Sequence, residues 1–297
     1  MSDADNNDGR SGALLGISFK IGSVLIFVAM AACIKAAGDG VPAGQIVFLR
    51  SSMAMIPVLC FLAARGQLHT AFKTSNLMSH FWRGLVGVSA MATGFYGLTR
   101  LPLPDAIALG YAKPLIMVVL ASILLGETIR IYRWTAVLVG FIGVVIISWP
   151  LLSIFDGQPW QNDHTKGVIA VLASAVLGAF AMILVRKLVL SEKTPTIVLY
   201  FSLSASLISL ATIPFGWVAL DPSTLGLLVA AGICGGIAQI FLTESYRHAD
   251  VSVIAPFEYT SIIMGLVIGY LFFGDVPQWS MLLGTAIVVG SGVFIII

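Results

Sequence analysis

Ile131-Tyr-Arg-Trp-Thr-Ala-Val-Leu-Val-Gly-Phe-Ile-Gly-Val-Val-Ile-Ile-Ser-Trp149 carries a single charge, Arg133, near its start and is otherwise apolar or small. About 20 apolar residues in a helix span the hydrocarbon core of a bilayer, so this stretch reads as a membrane span. Nine more read the same way: 13–34, 45–63, 80–99, 103–124, 167–186, 196–216, 223–244, 250–273 and 278–297. Short polar or proline-bearing links separate the closest pairs, Leu101 to Pro104 and Arg247 to Asp250. The fold class expected is therefore all-α, a polytopic membrane protein with ten transmembrane helices.

Composition agrees. Of the 297 residues, 58% are hydrophobic and 10% charged, against about 25% charged in a soluble domain, too few to cover a water-facing surface. A net charge of +2 gives no footprint for nucleic acid. The chain opens with a polar segment, Met1 to Arg10, that is expected to be disordered, and it lacks the cleavage pattern of a removable signal peptide. Cys33, Cys60 and Cys234 lie singly in apolar runs and read as packed free thiols.

Basic residues orient the spans. Arg10, Arg65, Lys73, Arg130, Arg133, Arg186, Lys187, Lys193 and Arg247 fall on one side; Lys35, Arg100 and Lys166 fall on the other. Both termini are thus expected in the cytoplasm, with Pro150 to Lys166 the main external loop and Trp160 an interface anchor. Lys20 and Arg83, near cytoplasmic span ends, are expected to snorkel.

Two halves of the chain echo each other. Gly126–Glu127 and Gly274–Asp275 are offset by 148, as are Tyr111 and Tyr259; Ile46–Val47 and Ser51 recur as Ile197–Val198 and Ser202 at 151. The expected organisation is a tail over 1–12, a first five-helix repeat over 13–149, an external loop over 150–166 and a second repeat over 167–297. Five is odd, so the copies would be inverted, with a site between them near the midplane.

Charges deep in a span are costly and mark function by default. Lys113 lies ~15 Å into its span, Glu258 ~12 Å and Arg50 ~8 Å, at 1.5 Å per residue. By the repeat, Glu258 aligns with Gly110, one turn from Lys113. Two readings of that pair stand: a fixed salt bridge tying the halves together, or contact with substrate or a coupling proton. Arg50 divides between substrate contact and snorkelling. Pro114 and Pro256, beside the charged positions, deprive the carbonyls of Gly110 and Ser252 of their helical donors. Tyr111, Tyr259, Tyr96, Tyr200, Trp82 and Gln239 are candidate cavity-lining residues, with Trp82 the most interfacial. Gly232 and Gly236, and Gly265 and Gly269, permit close helix crossings; Gly140 and Gly143 allow one within a chain or between protomers of a homodimer.

The residues also resemble a known family. Leu98-Thr-Arg-Leu-Pro-Leu-Pro-Asp-Ala-Ile-Ala-Leu-Gly-Tyr-Ala-Lys-Pro-Leu115, with Leu125-Gly-Glu127 and Trp134 to Val144, resembles the first half of the drug/metabolite transporter superfamily, EamA-type branch. Val253-Ile-Ala-Pro-Phe-Glu-Tyr-Thr-Ser261, with Phe273-Gly-Asp275, resembles its second half, Asp275 standing where Glu is commoner. The resemblance covers nearly the whole chain. It implies a bacterial inner-membrane secondary carrier of amino acids, cofactors or related metabolites, working by alternating access, with a small-molecule substrate and membrane lipid as partners.

A membrane enzyme and a channel are the competing classes. His69, His80, His164 and His248 sit at span ends or in loops, with no metal-ligand pair, nucleophile elbow or phosphate loop, so no cofactor or metal is expected. Saturable flux separates a carrier from a pore.

Overall fold

The computed structural model describes every residue except 1–2, 39, 75, 126–129, 153–161, 190, 193, 249–253 and 297. Glu127, Trp160 and the start of the ninth expected span lie outside the described residues. The α-helices of eight or more residues are α1 (Asp3–Ala37), α2 (Ala43–Ala64), α3 (Leu77–Arg100), α4 (Leu103–Gly110), α5 (Ala112–Leu125), α6 (Ile131–Ser148), α7 (Asp163–Val189), α8 (Thr194–Leu210), α9 (Pro222–His248), α10 (Thr260–Ile268) and α11 (Trp279–Ile296). Among the described residues there is no strand, and the all-α polytopic class holds.

Six stretches are long and apolar enough to cross a membrane: Leu14–Ala37, Ala43–Ala64, Leu103–Leu124, Ile131–Leu151, Asp163–Val185 and Pro222–Ser245. Thr196–Leu210, Phe257–Phe273 and Trp279–Phe294 are shorter apolar helices. Helix α3 has the length, at 24 residues, but carries His80, Arg83 and Arg100.

The N-terminal segment departs from expectation. Instead of a disordered tail, the helix runs from Asp3 without a break into the apolar part of α1. Once the apolar part is helical, each added residue gains a hydrogen bond without a new nucleus, so extension through polar residues is cheap.

Proline shapes the middle of two other elements. Tyr111 interrupts α4 and α5, its N–H donating to the carbonyl of Ala108 at 3.1 Å. Pro114 supplies no donor for the carbonyl four residues back, so the helix cannot pass straight through that turn. Around Pro256 the chain forms a 3₁₀ turn over Ala255–Tyr259 before α10, which closes in a π turn over Gly269–Phe273. Both breaks fall where the sequence puts proline beside a charge.

The bundle is held by long pairings of α1 with α9, α3 with α7, α6 with α11, and α2 with α8 and α9; α10 packs on α4 and α1. Small residues set the closest approaches. A Cβ at Gly236 would lie 2.6 Å from the carbonyl oxygen of Ala54, and one at Gly232 3.0 Å from that of Arg50. Gly143 meets the carbonyl of Gly284 at 2.7 Å in the same sense, so this glycine contact joins α6 to α11 within one chain. The first turn of α9 is capped by Asp221, whose Oδ2 accepts the N–H groups of Ser223 (3.0 Å) and Thr224 (3.1 Å). The Ser223 hydroxyl donates to the same oxygen, and with it these donors hold the Asp221 carboxyl well below the usual carboxylate range.

Candidate functional site

A cavity of about 320 Å³ opens between α3, α4–α5 and α7. Its wall is mostly apolar and small: Met91, Gly94, Phe95 and Leu98 from α3, Ile107 and Gly110 from α4, and Ser174 and Gly178 from α7. Lys113 is its charged lining residue and is exposed there. The lysine stem runs past Gly178, where a Cβ would come within 2.9 Å of Lys113 Cδ. Glycine at 178 therefore makes room for the lysine. Ser174 lines the cavity with its hydroxyl donating to the carbonyl of Ala90 at 2.7 Å.

Lys113 and Glu258 are not salt-bridged. No ion pair of Lys113 is found among the described residues, whereas Glu258 Oε2 lies 3.1 Å from Lys20 Nζ. The reason is the turn between them. Tyr111 and Lys113 are two residues apart, so they leave the helix on different sides. Tyr111 points to the 255–261 region, where its hydroxyl donates to the Glu258 carbonyl at 2.7 Å and meets the hydroxyl of Ser261. Lys113 points to α7 instead.

Lys20 is the residue that sequence reasoning missed. It is not snorkelling: its side chain is 2% exposed, while that of Glu258 is 58% exposed. A buried ammonium needs a counter-charge, and Glu258 provides it while leaving carboxylate surface open to a ligand or proton. The available signal was the position of Lys20 inside an apolar run, discounted because a lysine near a span end can reach water.

The other candidates divide. Tyr111 and Tyr259 pack as a tilted ring pair with centroids 5.1 Å apart, linking α4–α5 to the turn that carries Glu258. Tyr96 lies under the guanidinium of Arg100, 3.7 Å from ring to cation, outside the cavity wall. Tyr200 stacks on His80 and donates its hydroxyl to the carbonyl of Phe72, so it serves the loop end of the bundle. Gln239 lines a separate cleft of about 20 Å³ between α2, α8 and α9. Arg50 is 8% exposed, its guanidinium beside Gly235 and Met30, with Nε enclosed and lacking an acceptor. No group of three His, Cys, Asp or Glu that could hold a metal occurs among the described residues.

Comparison with known proteins adds to this geometry. The model of the EamA-like transporter family matches residues 14–149 and again 165–297. The S-adenosylmethionine uptake transporter of Rickettsia conorii is 27% identical over 98% of this chain and 95% of its own length. The pseudopaline exporter of Pseudomonas aeruginosa is 29% identical over 97% and 94%. The riboflavin transporter of Vibrio cholerae is 27% identical over 86% and 83%. A solved crystal structure with 21% identity superposes with a TM-score of 0.65 over 96% of both chains, which shows a shared fold.

Proposed function

This chain belongs to the EamA-like transporter family, and from that membership we propose that it carries a small metabolite bearing an anionic group, with Lys113 as the anion's contact and Glu258 facing a cationic group or a coupling proton. It is a multi-pass membrane transporter, and the enzyme and channel readings fall away with its family. The observation that carries the proposal is the exposed Lys113 in a largely apolar cavity. An ammonium there has no ion-pair partner among the described residues, so a carboxylate or phosphate entering the cavity would meet an unneutralised charge. Tyr111 and Tyr259 join the two charged regions, and Arg50 supplies a further cation, this one buried, in the outer half of α2. Tyr96, Tyr200 and Gln239 belong to the supporting shell.

The mechanism proposed is alternating access by two inverted five-helix repeats, 13–149 and 167–297, in a ten-span chain of the bacterial inner membrane. Helix pairing supports it. Exchanging the repeats turns the pairing of α1 with α9 into that of α7 with α3, and both are among the most extensive in the bundle. The pairings of α6 with α11 and α2 with α8 map onto themselves. Saturable exchange in proteoliposomes of purified protein, screened with carboxylate-bearing metabolites including S-adenosylmethionine, tests the carrier. Flux that rises without saturation would sink it.

The orientation proposed has both termini and the Arg65, Arg130 and Lys187 loops in the cytoplasm. Reporter fusions at Ile297 and within residues 157–166 are expected to report opposite sides. The same side for both would contradict the ten-span arrangement.

A further inference from the structure

Lys35 and Asp275 meet at the opposite end of the bundle from Lys20. Lys35 ends α1, and its Nζ lies 3.7 Å from Asp275 Oδ2, with the two side chains only 13% and 16% exposed. Asp275 stands on the short link that follows Gly274, whose φ of +67° turns the chain back after the π turn. The same carboxylate oxygen accepts the N–H of Leu103 at 2.8 Å, in the first turn of α4. Lys35 Nζ donates to the carbonyl of Leu101 and lies 5.2 Å from the Phe273 ring. Two side chains thus gather the end of α1, the link between α3 and α4, and the link before α11.

These contacts lie directly beyond the cavity. Leu98, Ala106 and Ile107 line it, and Leu101 and Leu103, whose backbone groups hold Lys35 and Asp275, are one turn away and fully buried. We infer that Lys35 and Asp275 form the gate that shuts the cavity on the face where α1 ends, and that transport opens it by parting this pair. The inference rests on the cavity being the substrate route, as proposed above.

The chemistry suits a gate better than a permanent brace. A partly buried ion pair contributes little net stability, because desolvation offsets attraction, so parting it into water costs little. The backbone groups it holds are a carbonyl and an N–H at helix ends, which water can satisfy when the pair separates. Opening therefore needs no rupture of the long α1–α9 or α3–α7 contacts. The charges have lower exposure than expected for residues read as loop positions, which gives the closed arrangement a reason to be dry.

The test uses the full-length protein with Cys33, Cys60 and Cys234 replaced by alanine and Met91→Cys as a cavity reporter. Membrane-impermeant maleimide is applied to right-side-out and inside-out vesicles, and the labelling rate is read from each face. Asp275→Asn and Lys35→Met are each expected to speed labelling from the Lys35 face by about tenfold, within the range of a two-state coupling. Lys35→Arg, which retains the charge, is expected to stay near the parent rate. Should either removal variant fold poorly in a thermal melt, the other carries the measurement. Reporter labelling from the opposite face, with the Lys35-face rate unchanged in both removal variants, overturns the gate and leaves the cavity standing. Labelling from neither face in any variant removes the cavity as a route and the gate with it.

Discussion

Glu258→Gln is expected to destabilise the folded protein by about 3 kcal/mol, and Lys20→Met by less than about 1 kcal/mol. The asymmetry follows from burial. Lys20 is 2% exposed and Glu258 58%, so removing the carboxylate takes a counter-charge from a buried ammonium, whereas removing the lysine leaves a carboxylate that the protein only half covers. The value for Glu258→Gln is placed at the low end of the range for a broken buried pair because only one partner, Lys20, is buried. Lys20→Met combined with Glu258→Gln is expected to recover most of the loss. Thermal unfolding in detergent of the two single variants and the double variant reads this directly. Equal losses for the two single substitutions would mean that burial does not make the pair asymmetric.

The same variant bears on coupling. Protonating Glu258 would dissolve its attraction to Lys20 and free α1 from the 255–259 turn, so a proton could be read as a movement of α1. Glu258→Gln imitates the protonated side chain permanently. It is expected to abolish accumulation driven by a pH gradient while counterflow exchange persists. Undiminished pH-driven accumulation would exclude Glu258 as the proton site.

The helices were legible because apolar length and proline placement are local properties. The run from Ile131 to Trp149 could do little but cross the bilayer, and Pro114 announced the break seen at Tyr111. Lys113, Glu258 and Arg50 stood out as costly charges for the same reason. Their partners were not legible, because pairing depends on which face of which helix meets a neighbour. Glu258 aligned with Gly110 through the repeat, which suggested Lys113 across the interface, but the turn at Tyr111 sends Lys113 toward Gly178. Lys20 and Lys35 read as residues free to reach water. Each was instead drawn inward by a carboxylate 238 or 240 positions away, a separation that no local pattern reports. Tyr200 and Gln239 show the converse: residue types suited to a cavity, placed by helix rotation against a loop and in a minor cleft.

Lys113→Met is expected to leave thermal stability near that of the parent while weakening binding of a carboxylate- or phosphate-bearing substrate by about 10- to 100-fold. The first half follows from the absence of an ion pair for Lys113 among the described residues and from its exposure in the cavity: no buried counter-charge is stranded when the ammonium goes. The second half follows from the energy of one hydrogen bond to a charged group, about 1.5–3 kcal/mol, which converts to that range of affinity. Lys113→Arg discriminates further. Its longer, planar head must pass Gly178, where space is already so short that a Cβ would lie 2.9 Å from the lysine stem, so arginine is expected to rescue charge but not geometry and to restore binding only in part. Gly178→Val should reproduce the binding loss without touching the charge, by pushing the lysine out of its channel. Binding measured by calorimetry on the purified protein separates the possibilities. A Lys113→Met protein that binds and transports as the parent does would leave the cavity without its anion contact and return the search to Arg50.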